Sequence, residues 1–120
     1  MDKYIEVFLN QNSKLNLISK NDEKFLWEKH IFDSLSIEKF FEKYGKGKTL
    51  LDIGTGGGFP SVPIALKYPE IEVYALDSIR KKINAIENIK TVLTEENGFV
   101  IITSIRFIFL QKRTKFYFVG

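Results

Sequence analysis

The chain has 120 residues, of which 44% are hydrophobic and 28% are charged, and it contains no cysteine. That length suits one folded domain, and the lack of cysteine excludes a disulfide framework and a thiolate metal site, so no metal is expected. The net charge of +3 is compatible with RNA without requiring it, and no apolar run reaches the roughly 18 residues of a membrane span, so a cytoplasmic protein is expected.

Residues 1–45 are predicted to form an N-terminal helical segment, because their apolar residues never follow a period of two. Tyr4 and Phe8 mark a short amphipathic helix over residues 2–11, and Asn12 and Ser13 are expected to end it. A second helix is expected to start after a cap at residue 21 or 22. It is expected to bury Phe25, Leu26, the stem of Lys29, either Ile31 or Phe32, and Leu35.

A third helix is expected to start at a Ser36 cap, to carry Ile37, Phe40 and Phe41, and to end at Gly45. From residue 46 onward, short apolar runs alternate with helical patterns. This alternation predicts βαβ units and a parallel sheet, so residues 46–120 are interpreted as the first part of a Rossmann-like domain. Strands are predicted at residues 49–53, 71–76, 99–103 and 116–119, and helices at 60–67 and 79–94.

A glycine-rich loop joins the first predicted strand to the helix that follows. Gly54, Gly56 and Gly58 stand at alternate positions after Asp52. Glycine adopts positive φ at little cost and lets a ligand approach the backbone, and the first N–H groups of the next helix favour a polar or anionic ligand. The loop is therefore a candidate binding site for a nucleotide cofactor.

An acidic residue follows the second predicted strand. Asp77 stands at the position where doubly wound folds accept the two hydroxyls of an adenosine ribose. The alternative is that Asp77 only caps the helix that begins near Ser78 and Ile79. The glycine loop one strand earlier favours the ribose role.

The spacing of the glycines favours S-adenosylmethionine as the cofactor. A dinucleotide fingerprint needs a third glycine where this chain has Phe59, and the Walker pattern is absent. Asp52 followed by G-x-G-x-G is the form usual in S-adenosylmethionine enzymes. An NAD-type oxidoreductase fragment and a non-catalytic nucleotide-binding remnant remain as alternatives.

Four stretches together resemble one family, the bacterial 16S ribosomal RNA (guanine-N7) methyltransferases of the RsmG/GidB type. They are residues 15–19 (LNLIS), 29–35 (KHIFDSL), 52–63 (DIGTGGGFPSVP) and 76–82 (LDSIRKK), in the family's order and spacing. Ser61 stands where the family usually has glycine. The resemblance implies an α/β class I methyltransferase fold, in which N-terminal helices precede a Rossmann-like parallel sheet.

The resemblance also implies roles for individual residues. Gly54 and Phe59 would contact S-adenosylmethionine, Gly56 and Gly58 would shape the loop, and Asp77 would hold the ribose. The implied substrate is a guanine N7 in 16S ribosomal RNA or the small ribosomal subunit. Because this nitrogen carries an exposed lone pair, the reaction needs positioning more than a general base, and no catalytic residue is nominated.

Two further groups of residues have less definite roles. Arg80, Lys81 and Lys82 are candidates for contacts to RNA phosphates, although a solvated helix face is the somewhat favoured interpretation. His30 and Ser34 stand one helical turn apart and are expected to bond each other or a nearby backbone group. For these two and for Asp33, a structural role is favoured over a catalytic one.

The resemblance decays beyond residue 97. Residues 103–110 lack the acid that the family places near the adenine, and Tyr117 stands where the family has aspartate. At most four strands are predicted, against about seven in a class I methyltransferase sheet. We therefore expect a C-terminally truncated member with an incomplete sheet, which binds its cofactor weakly and is weakly active or inactive.

Overall fold

The computed structural model describes residues 1–97, 100–104 and 116–119. Its helices are α1 (Asp2–Leu15), α2 (Lys20–Glu23), a π-helix (Leu26–Phe32), α3 (Asp33–Leu35), α4 (Glu38–Tyr44), α5 (Ser61–Lys67) and α6 (Arg80–Asn97). Its strands are β1 (Thr49–Ile53), β2 (Glu72–Leu76), β3 (Val100–Ser104) and β4 (Phe116–Val119). The predicted α/β architecture, with helices before an open sheet, is confirmed.

The sheet has the strand order β3-β2-β1-β4. β1 pairs with β2 and β2 with β3 in parallel, with Ile53 beside Leu76 and Leu76 beside Ser104. The carboxyl ends of these strands therefore meet at one edge of the sheet. Both the loop after β1 and Asp77 after β2 begin at that edge.

The prediction of a parallel sheet is wrong for β4, which pairs antiparallel with β1 and has Phe116 beside Asp52. β3 ends at Ser104 and β4 begins at Phe116 on the same edge of the sheet. A parallel β4 would begin at the opposite edge, and such a crossover usually takes a dozen or more residues. The interval of residues 105–115 is shorter than that.

One hydrophobic core joins the sheet to the helices. α1 packs against α6, α5 against β2, and α6 against β3. Each large apolar side chain buried in such a core stabilises the fold by about 1.5–3 kcal/mol. The largest core side chains include Tyr4, Phe8, Leu50, Ile64, Val73, Ile86, Ile89 and Ile101. The helical segment thus contributes to the same core as the sheet, and a domain division at residue 45 stays a prediction.

The N-terminal helix is longer than predicted. Asn12 and Ser13 lie inside α1, which continues to Leu15. The Asn12 side chain accepts a hydrogen bond from Ile18 N at 2.9 Å and donates to Glu23 Oε1 at 2.7 Å, so it ties the end of α1 to the following segment. Ser13 Oγ donates to a carbonyl one turn back. These bonds let two poor helix formers remain helical.

The predicted helix caps are also corrected. Neither residue 21 nor residue 22 caps a helix: both lie inside α2, whose cap is Ser19 with its Oγ accepting from Asp22 N at 3.1 Å, and the π-helix that follows has Phe25 at its cap position. Ser36 does not cap α4, because its hydroxyl donates to Asp33 O and Ile37 occupies the cap position. Gly45 does end α4, with φ +83°.

A π-helix spans Leu26–Phe32 and decides which side chains of this segment are buried. Because hydrogen bonds in a π-helix join residues i and i+5, Leu26 and Ile31 share its inner face, and both are buried. The predicted burial of Phe25 is wrong, since 47% of it is exposed, and Phe32 is 62% exposed. The predicted burial of Leu26 is confirmed, and of the two alternatives Ile31 and Phe32 the structure buries Ile31.

The later elements agree with prediction to within a few residues. α5 begins at Ser61 after Pro60, and α6 extends to Asn97, beyond the predicted residue 94. β3 begins one residue later than predicted. The predicted turn at residues 97–98 lies partly outside the described residues.

Candidate cofactor-binding site

The glycine loop leaves β1 at the edge of the sheet where β2 ends. Gly54 N and Thr55 N both donate to Leu76 O at 2.8 Å, which holds the start of the loop against β2. Gly54, Gly56 and Gly58 have φ values of +74°, +58° and +93°. These values lie in the left-handed region that residues with a Cβ rarely adopt, so the expected positive φ is confirmed, while a contact of these glycines with a cofactor stays a prediction.

The two sides of the loop differ in how closely they are packed. A Cβ built on Gly58 would lie 2.9 Å from Val62 Cγ2, so any other residue there would force the Val62 side chain to shift. A Cβ built on Gly54 would meet no described atom within 4 Å. The Gly54 side of the loop is therefore open, as a ligand-contacting backbone needs to be.

Asp77 connects the glycine loop to the start of α6. Its Oδ2 accepts from Gly56 N at 2.9 Å, and its Oδ1 accepts from Ile79 N at 2.9 Å. The bond from Ile79 N is the helix-capping contact that the sequence offered as the alternative role of Asp77. The bond from Gly56 N joins Asp77 to the glycine loop. Because an ionised carboxylate can accept about four hydrogen bonds, these two leave acceptor capacity for a ligand. The ribose role of Asp77 stays a prediction.

A buried hydrogen-bond network holds the loop from inside. Asp52 is fully buried, and its Oδ2 accepts from Thr55 Oγ1 at 2.7 Å and from Ser61 Oγ at 2.5 Å. The two hydroxyl oxygens lie 2.9 Å apart. This network links the end of β1, the loop and the start of α5. No role of Thr55 or Ser61 is predicted from the sequence, although Ser61 departs from the family's glycine at this position.

Phe59 faces the helical segment. Its ring packs against the ring of Phe8, with centroids 5.2 Å apart, and against that of His30, with centroids 5.0 Å apart. It also borders a cavity of about 420 Å³ between the glycine loop and the helical segment. The described residues that line this cavity are Lys29, His30, Asp33, Ser34, Ser36, Ile37, Phe40, Phe59 and Pro60. A contact of Phe59 with the cofactor stays a prediction.

The predicted contact between Ser34 and a backbone group is confirmed, because Ser34 Oγ donates to His30 O at 2.5 Å. His30 Nε2 lies 3.3 Å from Asp22 Oδ2, and Lys29 Nζ lies 3.1 Å from Asp22 Oδ1. The hydrogen bond from Lys29, and then that from His30, lowers the pKa of Asp22 below its ordinary value. Asp22, which is predicted from the sequence only as a possible helix cap, thus holds the side chains of Lys29 and His30 beside the cavity.

The basic cluster lies at the start of α6. Arg80 and Lys81 are exposed and Lys82 is half-buried. Because α6 begins three residues after Asp77, the cluster lies near the edge of the sheet that carries the loop. Its contact with RNA stays a prediction.

The described residues contain neither a metal-binding cluster nor a membrane-spanning helix. In the parts of the chain that the structure describes, no group of three or more His, Asp or Glu side chains could hold a metal ion. None of the helices built from those residues combines the length and apolar character needed to cross a membrane.

A family model described as rRNA small subunit methyltransferase G matches residues 1–119. The ribosomal RNA small subunit methyltransferase G of Flavobacterium johnsoniae is 43% identical over 91 residues, which cover 76% of this chain and 43% of that protein. The protein of the same name from Flavobacterium psychrophilum is 38% identical over 96 residues, which cover 80% of this chain and 46% of that protein.

A third relative of the same name, from Bacteroides fragilis, is 35% identical over 92 residues, which cover 77% of this chain and 44% of that protein. The chain therefore spans less than half the length of these curated relatives. The matches do not favour an NAD-type oxidoreductase fragment.

Proposed function

Because the chain belongs to the rRNA small subunit methyltransferase G family, we propose that it binds S-adenosylmethionine at the glycine loop and serves the methylation of a guanine N7 in 16S ribosomal RNA. The single observation that supports this most is the bond of 2.9 Å between Gly56 N and Asp77 Oδ2. It brings the glycine loop and the acid after β2 together at one edge of the sheet.

The described residues fit this cofactor. The open backbone at Gly54 would lie against it, and the acceptor capacity left on Asp77 suits the two ribose hydroxyls. Phe59 would add an aromatic contact from the end of the loop. When bound, S-adenosylmethionine supplies a methyl group on a positively charged sulfur.

The proposed acceptor explains why no general base is needed. Guanine N7 has a lone pair in the plane of the ring and carries no hydrogen, so it can take a methyl group without first losing a proton. The contribution of the protein is then orientation, that is, holding the accepting nitrogen in line with the methyl group and the sulfur. We therefore assign this chain positioning residues and no catalytic acid or base.

The RNA is proposed to contact the basic cluster at the start of α6. Arg80 and Lys81 are exposed there, so their charges can face phosphates, and Lys82 adds a third. Because ribosomal RNA is the proposed substrate, we expect a cytoplasmic protein.

Binding and activity are tested separately. Isothermal titration of the 120-residue chain with S-adenosylmethionine and with NAD is expected to give heat only with the first. Binding of NAD, or of neither compound, would contradict the proposed cofactor site, and binding of neither would favour the non-catalytic alternative. Transfer of a radiolabelled methyl group to small ribosomal subunits that lack N7 methylation then tests the activity. That this chain alone is weakly active or inactive stays a prediction of that assay.

A further inference from the structure

The cavity beside Phe59 has the size and lining of a ligand site. Its volume of about 420 Å³ lies within the roughly 300–1,000 Å³ of small-molecule pockets. Ile37, Phe40, Phe59 and Pro60 give it flat apolar surface, and Phe40 is 43% exposed. Phe59 and Pro60 directly follow Gly58, so a ligand in the cavity would lie beside the glycine loop.

The polar groups of the cavity differ in how far internal bonds occupy them. Ser34 Oγ donates to His30 O, and His30 Nε2 and Lys29 Nζ both face Asp22. Asp33 lies at the start of α3, is exposed, and lines the cavity. Among the described residues that line the cavity, Asp33 is the one with an acidic side chain, and apolar walls that suit a planar ring lie in the same lining.

We propose that this cavity holds the guanine that is to be methylated and that Asp33 recognises it. This inference rests on the proposed function. A carboxylate has two acceptor oxygens, and guanine presents two adjacent donors, N1–H and the N2 amino group, on its Watson–Crick edge. Enzymes that act on a base taken out of the RNA read it by such edge contacts while apolar side chains cover its faces.

This contact leaves the reactive atom accessible. N7 lies on the Hoogsteen edge of the purine and not on the Watson–Crick edge, so a guanine bonded to Asp33 through N1 and N2 keeps its N7 lone pair unbonded. Adenine presents an acceptor at N1, which a carboxylate repels, so the same cavity would reject it. Lys29, with 56% of its side chain exposed beside the cavity, can meet the phosphate of the same nucleotide.

The test uses the full chain with guanosine 5′-monophosphate and adenosine 5′-monophosphate as probes, followed by NMR titration of the amides of Asp33, Ser36 and Ile37. We expect the guanine nucleotide to bind about tenfold more tightly than the adenine nucleotide, as one bidentate edge contact provides. Asp33→Asn should remove this preference, because its amide N–H₂ faces a guanine donor. Glu28→Gln removes an exposed carboxylate that does not line the cavity and should leave the preference unchanged.

The outcomes separate this inference from the proposed function. Because adenosine 5′-monophosphate can also enter the proposed cofactor site, the affinities are taken from the shifts of the Ser36 and Ile37 amides, which report on the cavity. At these amides, equal affinity for the two nucleotides, no binding of guanosine 5′-monophosphate, or an unchanged preference in Asp33→Asn would overturn the role of the cavity. The affinity for S-adenosylmethionine should be the same for the unchanged chain, Asp33→Asn and Glu28→Gln. If none of the three binds S-adenosylmethionine, that result counts against the cofactor site and not against the cavity. A circular dichroism melt confirms that the variants are folded.

Discussion

Ser61 donates its hydroxyl hydrogen to Asp52 Oδ2 across 2.5 Å, and both side chains are fully buried. Asp52 lies at the end of β1 and Ser61 at the start of α5, so this bond joins the two ends of the glycine loop. A glycine at position 61, which the family usually has, could not make it. The glycine loop of this chain is therefore held by a hydrogen bond that a protein with glycine at position 61 would lack.

We expect Ser61→Ala to lower the free energy of unfolding by about 1–3 kcal/mol, because it leaves a buried carboxylate with one donor fewer. The affinity for S-adenosylmethionine should fall as well, because the glycine loop loses the hydrogen bond that joins its two ends. Urea unfolding and calorimetric titration measure the two effects. Glu6→Gln, at an exposed position of α1, should change neither.

Gly58→Ala is expected to destabilise the chain through two causes, strain at φ +93° and a Cβ only 2.9 Å from Val62 Cγ2. Strain of this kind costs about 1–3 kcal/mol. Gly54→Ala is a matched control for stability, because Gly54, in the same loop, has φ +74° but no described atom within 4 Å of its built Cβ. The midpoint of urea unfolding should fall further for Gly58→Ala, and equal shifts would contradict the packing argument.

Asp77→Asn is expected to weaken both the fold and the cofactor site. Its amide group would turn one donor toward Gly56 N or Ile79 N, each of which now donates to the carboxylate. We expect a loss of about 1–3 kcal/mol in the free energy of unfolding and a lower affinity for S-adenosylmethionine. Thermal melts and titration check this, with the exposed Asp2→Asn as the control. Unchanged binding of the cofactor would argue that Asp77 only caps α6.

Tyr4→Phe is expected to stabilise the chain by about 1 kcal/mol at pH 7, because Tyr4 Oη is buried and has no hydrogen-bond partner among the described residues. Burial raises the pKa of Tyr4 well above its ordinary value. Above pH 10, roughly the pKa of the unfolded tyrosine, the unfolded chain can ionise while the folded chain stays neutral, so stability falls as pH rises.

The gain from Tyr4→Phe should therefore grow between pH 9 and about pH 11. Chemical unfolding at several pH values measures it. Tyr44→Phe, at a residue that is 65% exposed, should show no such gain at pH 7. A loss of stability in Tyr4→Phe would mean that the hydroxyl is well bonded.

Asn12→Ala is expected to lower the free energy of unfolding by about 1–3 kcal/mol, because it leaves Ile18 N without its acceptor and removes the bond to Glu23. Asn10→Ala, at an exposed position of the same helix, should cost little. Thermal unfolding of the two variants decides the matter. Equal effects would show that Asn12 acts only through helix propensity.

The sequence alone determined the family, the α/β class and the edge of the sheet that carries the candidate site. The family predicted from four short stretches is confirmed. Glycines at alternate positions can be interpreted directly, because only glycine adopts positive φ cheaply, and the structure gives positive φ at Gly54, Gly56 and Gly58. The position of Asp77 near the glycine loop can be predicted just as directly, because parallel strands end at a common edge of the sheet.

Only the tertiary structure decided how the helical segment meets the loop and how β4 runs. Which side of residues 25–32 is buried depends on a π-helix, whose period the apolar pattern does not reveal. The bonds that hold Asp52 to Ser61 and Asp22 to His30 join residues nine and eight positions apart. Such contacts, like the cavity beside Phe59, arise only when separate elements pack together, because propensity and periodicity describe one element at a time.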